Sequence, residues 1–237
     1  SLEALARWQH PEYGMVYPGD FIPLAEETGH IVDLGAAMLH QVCRQIARWR
    51  QAGLHTPTVA INVSAKQLRD AGFVQLVRDA VGAAGISCHD IEIEVTESCV
   101  MVDPEMSVAI LETLVGMGVR ISLDDYGTGY SSLSSIKRLP LYAIKIDRSF
   151  IGDIGIDSND DVIVASTISM SHGLGLRVVA EGVETREQLK RLRMLGCEEM
   201  QGYLFSRPLA LEETEKLLQR GVCEPQGSDN DVAVRAA

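Results

Sequence analysis

Nowhere in the 237 residues is there an apolar run approaching the ~20 residues that a membrane-spanning helix needs. A basic-then-apolar leader is missing as well, so the sequence predicts a cytoplasmic protein with no membrane contact from this segment. Cysteine is scarce: Cys43, Cys88, Cys99, Cys197 and Cys223 are scattered, odd in number and never spaced as CxxC. That argues against a disulfide scaffold or a structural zinc site and predicts reduced thiols. His10, His30, His40, His55, His89 and His172 form no HxH or HExxH pattern, which disfavours a zinc hydrolase or a histidine acid–base pair. No GxGxxG turn follows a strand-like run, which lowers a dinucleotide-binding reading. Positive charge is also short: 21 Lys and Arg stand against 33 Asp and Glu, a net charge of −12. Such a balance argues against a groove for a nucleic-acid polymer or an anionic membrane surface. A phosphate substrate stays open, provided cations supply the missing positive charge.

What is present is an ordinary globular composition, 46 % hydrophobic, in a length that fits one or two domains. Short β-branched runs alternate with longer segments of helical apolar spacing. The strand candidates are 58–63, 91–96, 119–124, 142–146, 177–180 and 199–205; the helix candidates are 31–52, 66–84, 104–117, 162–173 and 186–195. Gly53, Gly85, Gly118 and Gly196 fall just past helix ends, where positive φ is commonly needed. Trp8 and Trp49 are expected in the core. This repetition predicts parallel strands with helical crossovers, and at least six units in one chain favour a closed (β/α) barrel over an open doubly wound sheet. Residues 222–237 lack periodicity and are expected to be a disordered tail after a domain spanning 1–221.

The informative feature is where polar residues interrupt the apolar strands. Asn62, Glu94, Asp124 with Asp125, Lys145, Glu181 and Gln201 fall on or just after successive strand candidates, at spacings of 32, 30, 21, 36 and 20 residues from Asn62 through Glu94, Asp124, Lys145 and Glu181 to Gln201. In a (β/α) barrel the carboxyl ends of the strands converge on one face, so these residues are expected to share a pocket. Four carboxylates cannot all stay ionised together without cations. Hard oxygen donors suit Mg²⁺ or Mn²⁺, and a carboxylate bridging two ions would suit in-line displacement at phosphorus. Any one acid at a strand end is more often a cap or loop anchor, Asp125 could start a simple turn, and Lys145 could be a surface residue on an edge strand. Recurrence at successive strand ends favours the chemical reading for the set, with phosphodiester hydrolysis as the reaction it suggests.

The ordered segments Glu3-Ala4-Leu5 (within Leu2–Trp8), Phe21–Gly29, Ile61–Ser64, Glu94–Ser98, Asp124–Leu133, Lys145–Phe150, Ala180–Thr185 and Gln201–Ser206 resemble the EAL domain family, bacterial phosphodiesterases of cyclic di-GMP. The resemblance runs from Ser1 to about Gly221 and implies a (β/α)8 TIM-type barrel as modified in EAL domains. It implies Glu3, Asn62, Glu94 and Asp124 as primary metal ligands, with Asp125 and Glu181 at or near a second metal. Lys145 would contact the attacking water or the phosphate. Leu5, Arg7 and Gln201 would contact substrate, Glu97 would anchor the Asp125–Ser132 loop, and Glu184 would help orient a ligand. Lys145, Glu181 and Glu3 are the implied catalytic set.

The resemblance further implies two Mg²⁺ or Mn²⁺ ions, inhibition by Ca²⁺, the product 5′-pGpG and a homodimer. No matched acid is lost, and Tyr126 stands where Phe is commoner. The sequence therefore predicts an enzyme, the alternative being a cyclic di-GMP receptor that binds without hydrolysis. The family's upstream helix and first strand, with a Tyr-Gln-Pro segment, do not precede Ser1, and the sequence reads as a piece of a longer protein. It holds no GG[DE]EF motif.

Overall fold

The computed structural model describes residues 1–127 and 136–221. The expected tail at 222–237, Cys223 and residues 128–132 of the expected anchored loop lie outside the described residues. The chain forms two compact units, Ser1–Arg120 and a second from Ile121 onward. Among the described residues no helix is long and apolar enough to cross a membrane.

In chain order the first unit holds β1 (Leu2–Ala4), β2 (Trp8–His10), β3 (Gly14–Val16), α1 (Pro18–Thr28), α2 (Ile31–Gln51), β4 (Val59–Asn62), α3 (Ala65–Leu68), α4 (Phe73–Ala84), β5 (Ile91–Thr96), α5 (Glu97–Met101) and α6 (Pro104–Met117). Strands β1, β4 and β5 run parallel, with Glu3 beside Ala60 and Asn62 beside Glu94. The short β2–β3 hairpin is antiparallel and leaves Trp8 46 % exposed, so Trp8 is not the core residue that its size suggests. Trp49 is buried, on the stripe of α2 that also carries Leu39, Val42 and Ile46. Each such side chain gains roughly 1.5–3 kcal/mol by leaving water.

The helix expected over 66–84 is two helices. Ser64 and Gln67 close a capping box on α3, and the Asp70 carboxylate then accepts the Gly72 N–H at 2.8 Å, turning the chain before α4 starts. Helix α6 obeys its sequence signals: the Asp103 side chain accepts from the Met106 N–H, Pro104 sits in the first turn, and Gly118 ends it at φ = 101°. Gly53, Gly85 and Gly196 also have the positive φ expected of them.

The second unit holds β6 (Arg120–Tyr126, entered from the first unit), β7 (Ala143–Ile146), α7 (Arg148–Gly152), α8 (Ser158–Gly173), β8 (Arg177–Ala180), α9 (Arg186–Met194), β9 (Glu199–Met200) and α10 (Leu211–Arg220). Strands β6 to β9 are parallel neighbours in chain order. Ile146, Ile151, Val178, Val183 and Leu192 centre a core that fixes the strand ends against α7 to α9.

Two local facts shape those ends. In β6, Leu123 sits beside Ile144 but Tyr126 sits beside Ile146, so Asp124 and Asp125 together oppose Lys145, a β-bulge. Strand β9 stops at Met200 rather than Phe205. The Gly202 backbone lies so close to Val183 that a Cβ would come within 2.2 Å of the Val183 carbonyl oxygen, and the chain turns there instead of extending. The parallel strand–helix repetition is that of a modified (β/α)8 barrel, in which β1 has β4, and β9 has β8, as its one sheet partner among the described residues.

Cys43, Cys99 and Cys197 are buried free thiols; burial pushes Cys43 up to about 11 and the other two up to about 12.

Candidate metal centre

Within the second unit the structure brings Asp124, Asp125, Lys145 and Glu181 together. Lys145 points inward from β7 and is 3 % exposed. Its Nζ stands 2.7 Å from Glu181 Oε1 and 3.3 Å from Asp124 Oδ1. This rules out the surface-lysine reading. Glu181 is the first residue after β8, and its N–H donates to the Ile146 carbonyl at 3.1 Å, which carries the strand pairing one residue further.

The bulge delivers two consecutive carboxylates to one end of β6, although strand alternation would send them to opposite faces. Asp125 achieves this in the left-handed region, φ = 53°, and is the one non-glycine residue there among the described residues. The Asp124 Oδ1 accepts the Asp125 N–H at 3.0 Å, which braces the turn. One oxygen each from Asp124, Asp125 and Glu181 can lie within 4.8 Å of one another. Ligands held ~2.1 Å from Mg²⁺ are separated by roughly 3 Å when adjacent and roughly 4 Å when opposite. The trio fits a small divalent cation in donor chemistry and lies close enough together to converge on one. Three carboxylates around one ammonium leave an excess of negative charge that such a cation would offset.

The first unit holds the other predicted ligands. Asn62, at the end of β4, donates through Nδ2 to Glu3 Oε1 at 2.8 Å across the β1–β4 pair. Glu94 lies beside Asn62 in register and is 3 % exposed. Glu97 opens α5, and its Oε2 is sealed from solvent with no hydrogen-bond partner among the described residues. Leu5 and Arg7 follow β1 and are exposed; the Arg7 guanidinium donates to the Ala6 carbonyl at 2.7 Å and lies 5.5 Å over the Tyr17 ring.

Gln201, just past β9, is exposed, and its backbone bridges the Ala180 carbonyl at 2.8 Å and the Val183 N–H at 3.0 Å. Glu184 is also exposed, and its N–H donates to Gln188 Oε1 at 2.8 Å. Sequence reasoning misses Gln188 in this neighbourhood; the signal that finds it is the Thr185-x-x-Gln188 spacing of a capping box.

The profile of the EAL domain family matches residues 1–208. Relatives include the bifunctional diguanylate cyclase/cyclic di-GMP phosphodiesterase MucR of Pseudomonas aeruginosa, 46 % identical over 90 % of this chain and 31 % of its own length. The cyclic di-GMP phosphodiesterase NbdA of the same organism is 46 % identical over 92 % of this chain and 28 % of its own length. The chain thus spans about a third of the curated relatives it matches. A solved structure of the PaMucR phosphodiesterase in complex with c-di-GMP superposes with a TM-score of 0.85 at 46 % identity, covering 90 % of this chain and 86 % of that one. The Klebsiella pneumoniae BlrP1 manganese/cyclic di-GMP complex gives a TM-score of 0.75 at 32 % identity, over 87 % of this chain and 51 % of that one. Its strand-end acids, parallel strand–helix order and sequence place this chain in the EAL domain family.

Proposed function

We propose that this chain hydrolyses cyclic di-GMP to linear 5′-pGpG. The observation that carries the reading is the Asp124–Asp125–Glu181 trio gathered round the buried Lys145 ammonium. The relatives named as cyclic di-GMP phosphodiesterases support the choice of substrate. In the reaction a water oxygen adds to phosphorus, the P–O3′ bond breaks, the ribose O3′ gains a proton, and the phosphate stays on the 5′ oxygen.

Asp124, Asp125 and Glu181 would hold divalent cation, with Glu3, Asn62 and Glu94 as ligands by the family's motif. When bound, Mg²⁺ or Mn²⁺ supplies the positive charge that polarises the attacked phosphate and the water. Lys145 pairs its charge with Glu181 and Asp124, holds both carboxylates in place, and offsets charge developing on the phosphoryl oxygens. Arg7, exposed on the segment between β1 and β2, reaches a phosphate; Leu5 and Gln201 border the substrate. We extend the reading to two ions, inhibition by Ca²⁺, a homodimer and a cytoplasmic location. The manganese complex of a relative supports the choice of metal.

The test is cyclic di-GMP turnover with Mg²⁺, Mn²⁺ or chelator, with products separated by chromatography. Metal-dependent pGpG that disappears in Glu3→Ala and Asp124→Ala, while both variants stay folded, is the expected result. Full turnover by both variants, or nucleotide binding without product in wild type, overturns it; the latter leaves the receptor reading.

A further inference from the structure

The Glu181 carboxylate stands on a five-residue loop, 181–185, between β8 and α9. Its first residue is held by the Ile146 carbonyl, and Val183 is held by the Gln201 carbonyl. Beyond Val183 one side chain takes both of the loop's remaining N–H groups. Gln188 Oε1 accepts the N–H groups of Glu184 and Thr185 at 2.8 and 2.9 Å. That much is a capping box, completed by the Gln188 N–H donating to Thr185 Oγ1 at 3.2 Å.

In an ordinary capping box the amide nitrogen of such a glutamine faces water. Here Gln188 is 8 % exposed, and Nε2 donates to the carbonyls of Ile151 and Gly152, both at 3.1 Å. Those carbonyls end α7, which follows the Lys145 strand with one residue, Asp147, between them. The amide therefore spans from the loop bearing Glu181 to the helix that follows Lys145, with both lone pairs and both N–H groups used. Gly182 seals the same seam: at φ = 72° its Cα packs so closely on Arg148 of α7 that a Cβ would meet the Arg148 Cβ at 2.4 Å.

We propose that Gln188 is a positioning residue for the Lys145–Glu181 pair, its amide fixing the loop that carries the carboxylate against the helix that follows the strand carrying the ammonium. The inference rests on the proposed hydrolase reading for its kinetic part and on the hydrogen bonds alone for its structural part.

The bridge can be separated from the cap. Gln188→Glu keeps an acceptor for Glu184 and Thr185, as capping boxes allow, but sets a carboxylate oxygen against the Ile151 and Gly152 carbonyls. Gln188→Met removes both functions. Asp161→Asn is the control, because it loosens a different polar tie of α9, the Arg191–Asp161 pair, without touching the loop.

Three quantities are measured for each protein: Mn²⁺ affinity by calorimetry without nucleotide, kcat and KM for cyclic di-GMP, and amide hydrogen exchange of residues 181–185. Both Gln188 variants are expected to lose roughly 10–100-fold in Mn²⁺ affinity or kcat, with KM held within about two-fold. Exchange in 181–185 is expected to rise above that in the middle of α9. Asp161→Asn is expected to lower the thermal midpoint and leave kcat and the loop's exchange unchanged.

Wild-type behaviour of Gln188→Glu in all three quantities would show that the residue caps α9 and does nothing more. Equal kinetic losses in Asp161→Asn would reduce its effect to general loosening. If wild type neither binds Mn²⁺ nor turns over, the hydrolase reading fails, and the exchange comparison alone decides whether the bridge orders the loop. Should Gln188→Met not fold, Gln188→Glu and the control still decide.

Discussion

Asp125 holds a left-handed conformation that costs a side-chain-bearing residue roughly 1–2 kcal/mol relative to glycine, and aspartate is among the few residues that tolerate it. Asp125→Gly should therefore be more stable than Asp125→Ala by about that amount in urea unfolding without metal, although both lose the carboxylate. Equal midpoints would contradict the assignment of strain. Lys145→Met should lower turnover by roughly 10²–10³-fold by removing a preorganised positive charge, with the fold retained; a loss under three-fold would refute its role beside the phosphate. At this scale the sequence was readable wherever a polar residue broke a β-branched run, as at Glu94, Lys145 and Glu181. It was silent on the φ of Asp125, because that depends on the register of β7 beside it. It was silent too on Trp8, whose exposure follows from a hairpin too short to cover it.

Between elements, the Arg191–Asp161 pair joins α9 to α8, and hydrogen bonds from Arg191 hold the Asp161 carboxyl below its ordinary 3.8. A depressed folded value means that the contribution is complete above 3.8 and is lost as pH falls through the lower folded value. Asp161→Asn should thus lower the thermal midpoint at pH 7, and the gap to wild type should close in acid; a gap that widened would reverse the sign of the coupling. Gly202→Ala should be strongly destabilising, on the order of 3 kcal/mol or more, because the clash is with backbone rather than a yielding side chain. A midpoint in denaturant matching wild type would refute the close approach.

Legibility among elements followed local signals. Strands β5 and β8 and helix α6 match their expected bounds because runs, caps and glycines agree there. Strand β1, with three residues, and α1, with Pro23 inside it, carry patterns too short or too broken to declare themselves. The split between α3 and α4 turns on one side chain, Asp70, whose bond to Gly72 outweighs continuous helical spacing.

Over the whole chain, the net charge of −12 and the gathered acids predict that stability responds to divalent cation. A site that binds the folded chain alone stabilises it by roughly 2.7 kcal/mol at one hundred times its dissociation constant. Mg²⁺ or Mn²⁺ should raise the thermal midpoint of wild type and leave that of Asp124→Ala unmoved, whereas sodium chloride at matched ionic strength should treat the two alike. Equal cation responses would mean charge screening rather than a site. The two-against-one pairing opposite Lys145 has a genetic corollary. Deleting a single codon at 124 or 125 would restore an even ladder between β6 and β7, relieve the left-handed Asp125 and strip away one of the proposed ligands. Such a three-base deletion should cost turnover before it costs stability, so a screen that reads only soluble expression would pass the inactive form.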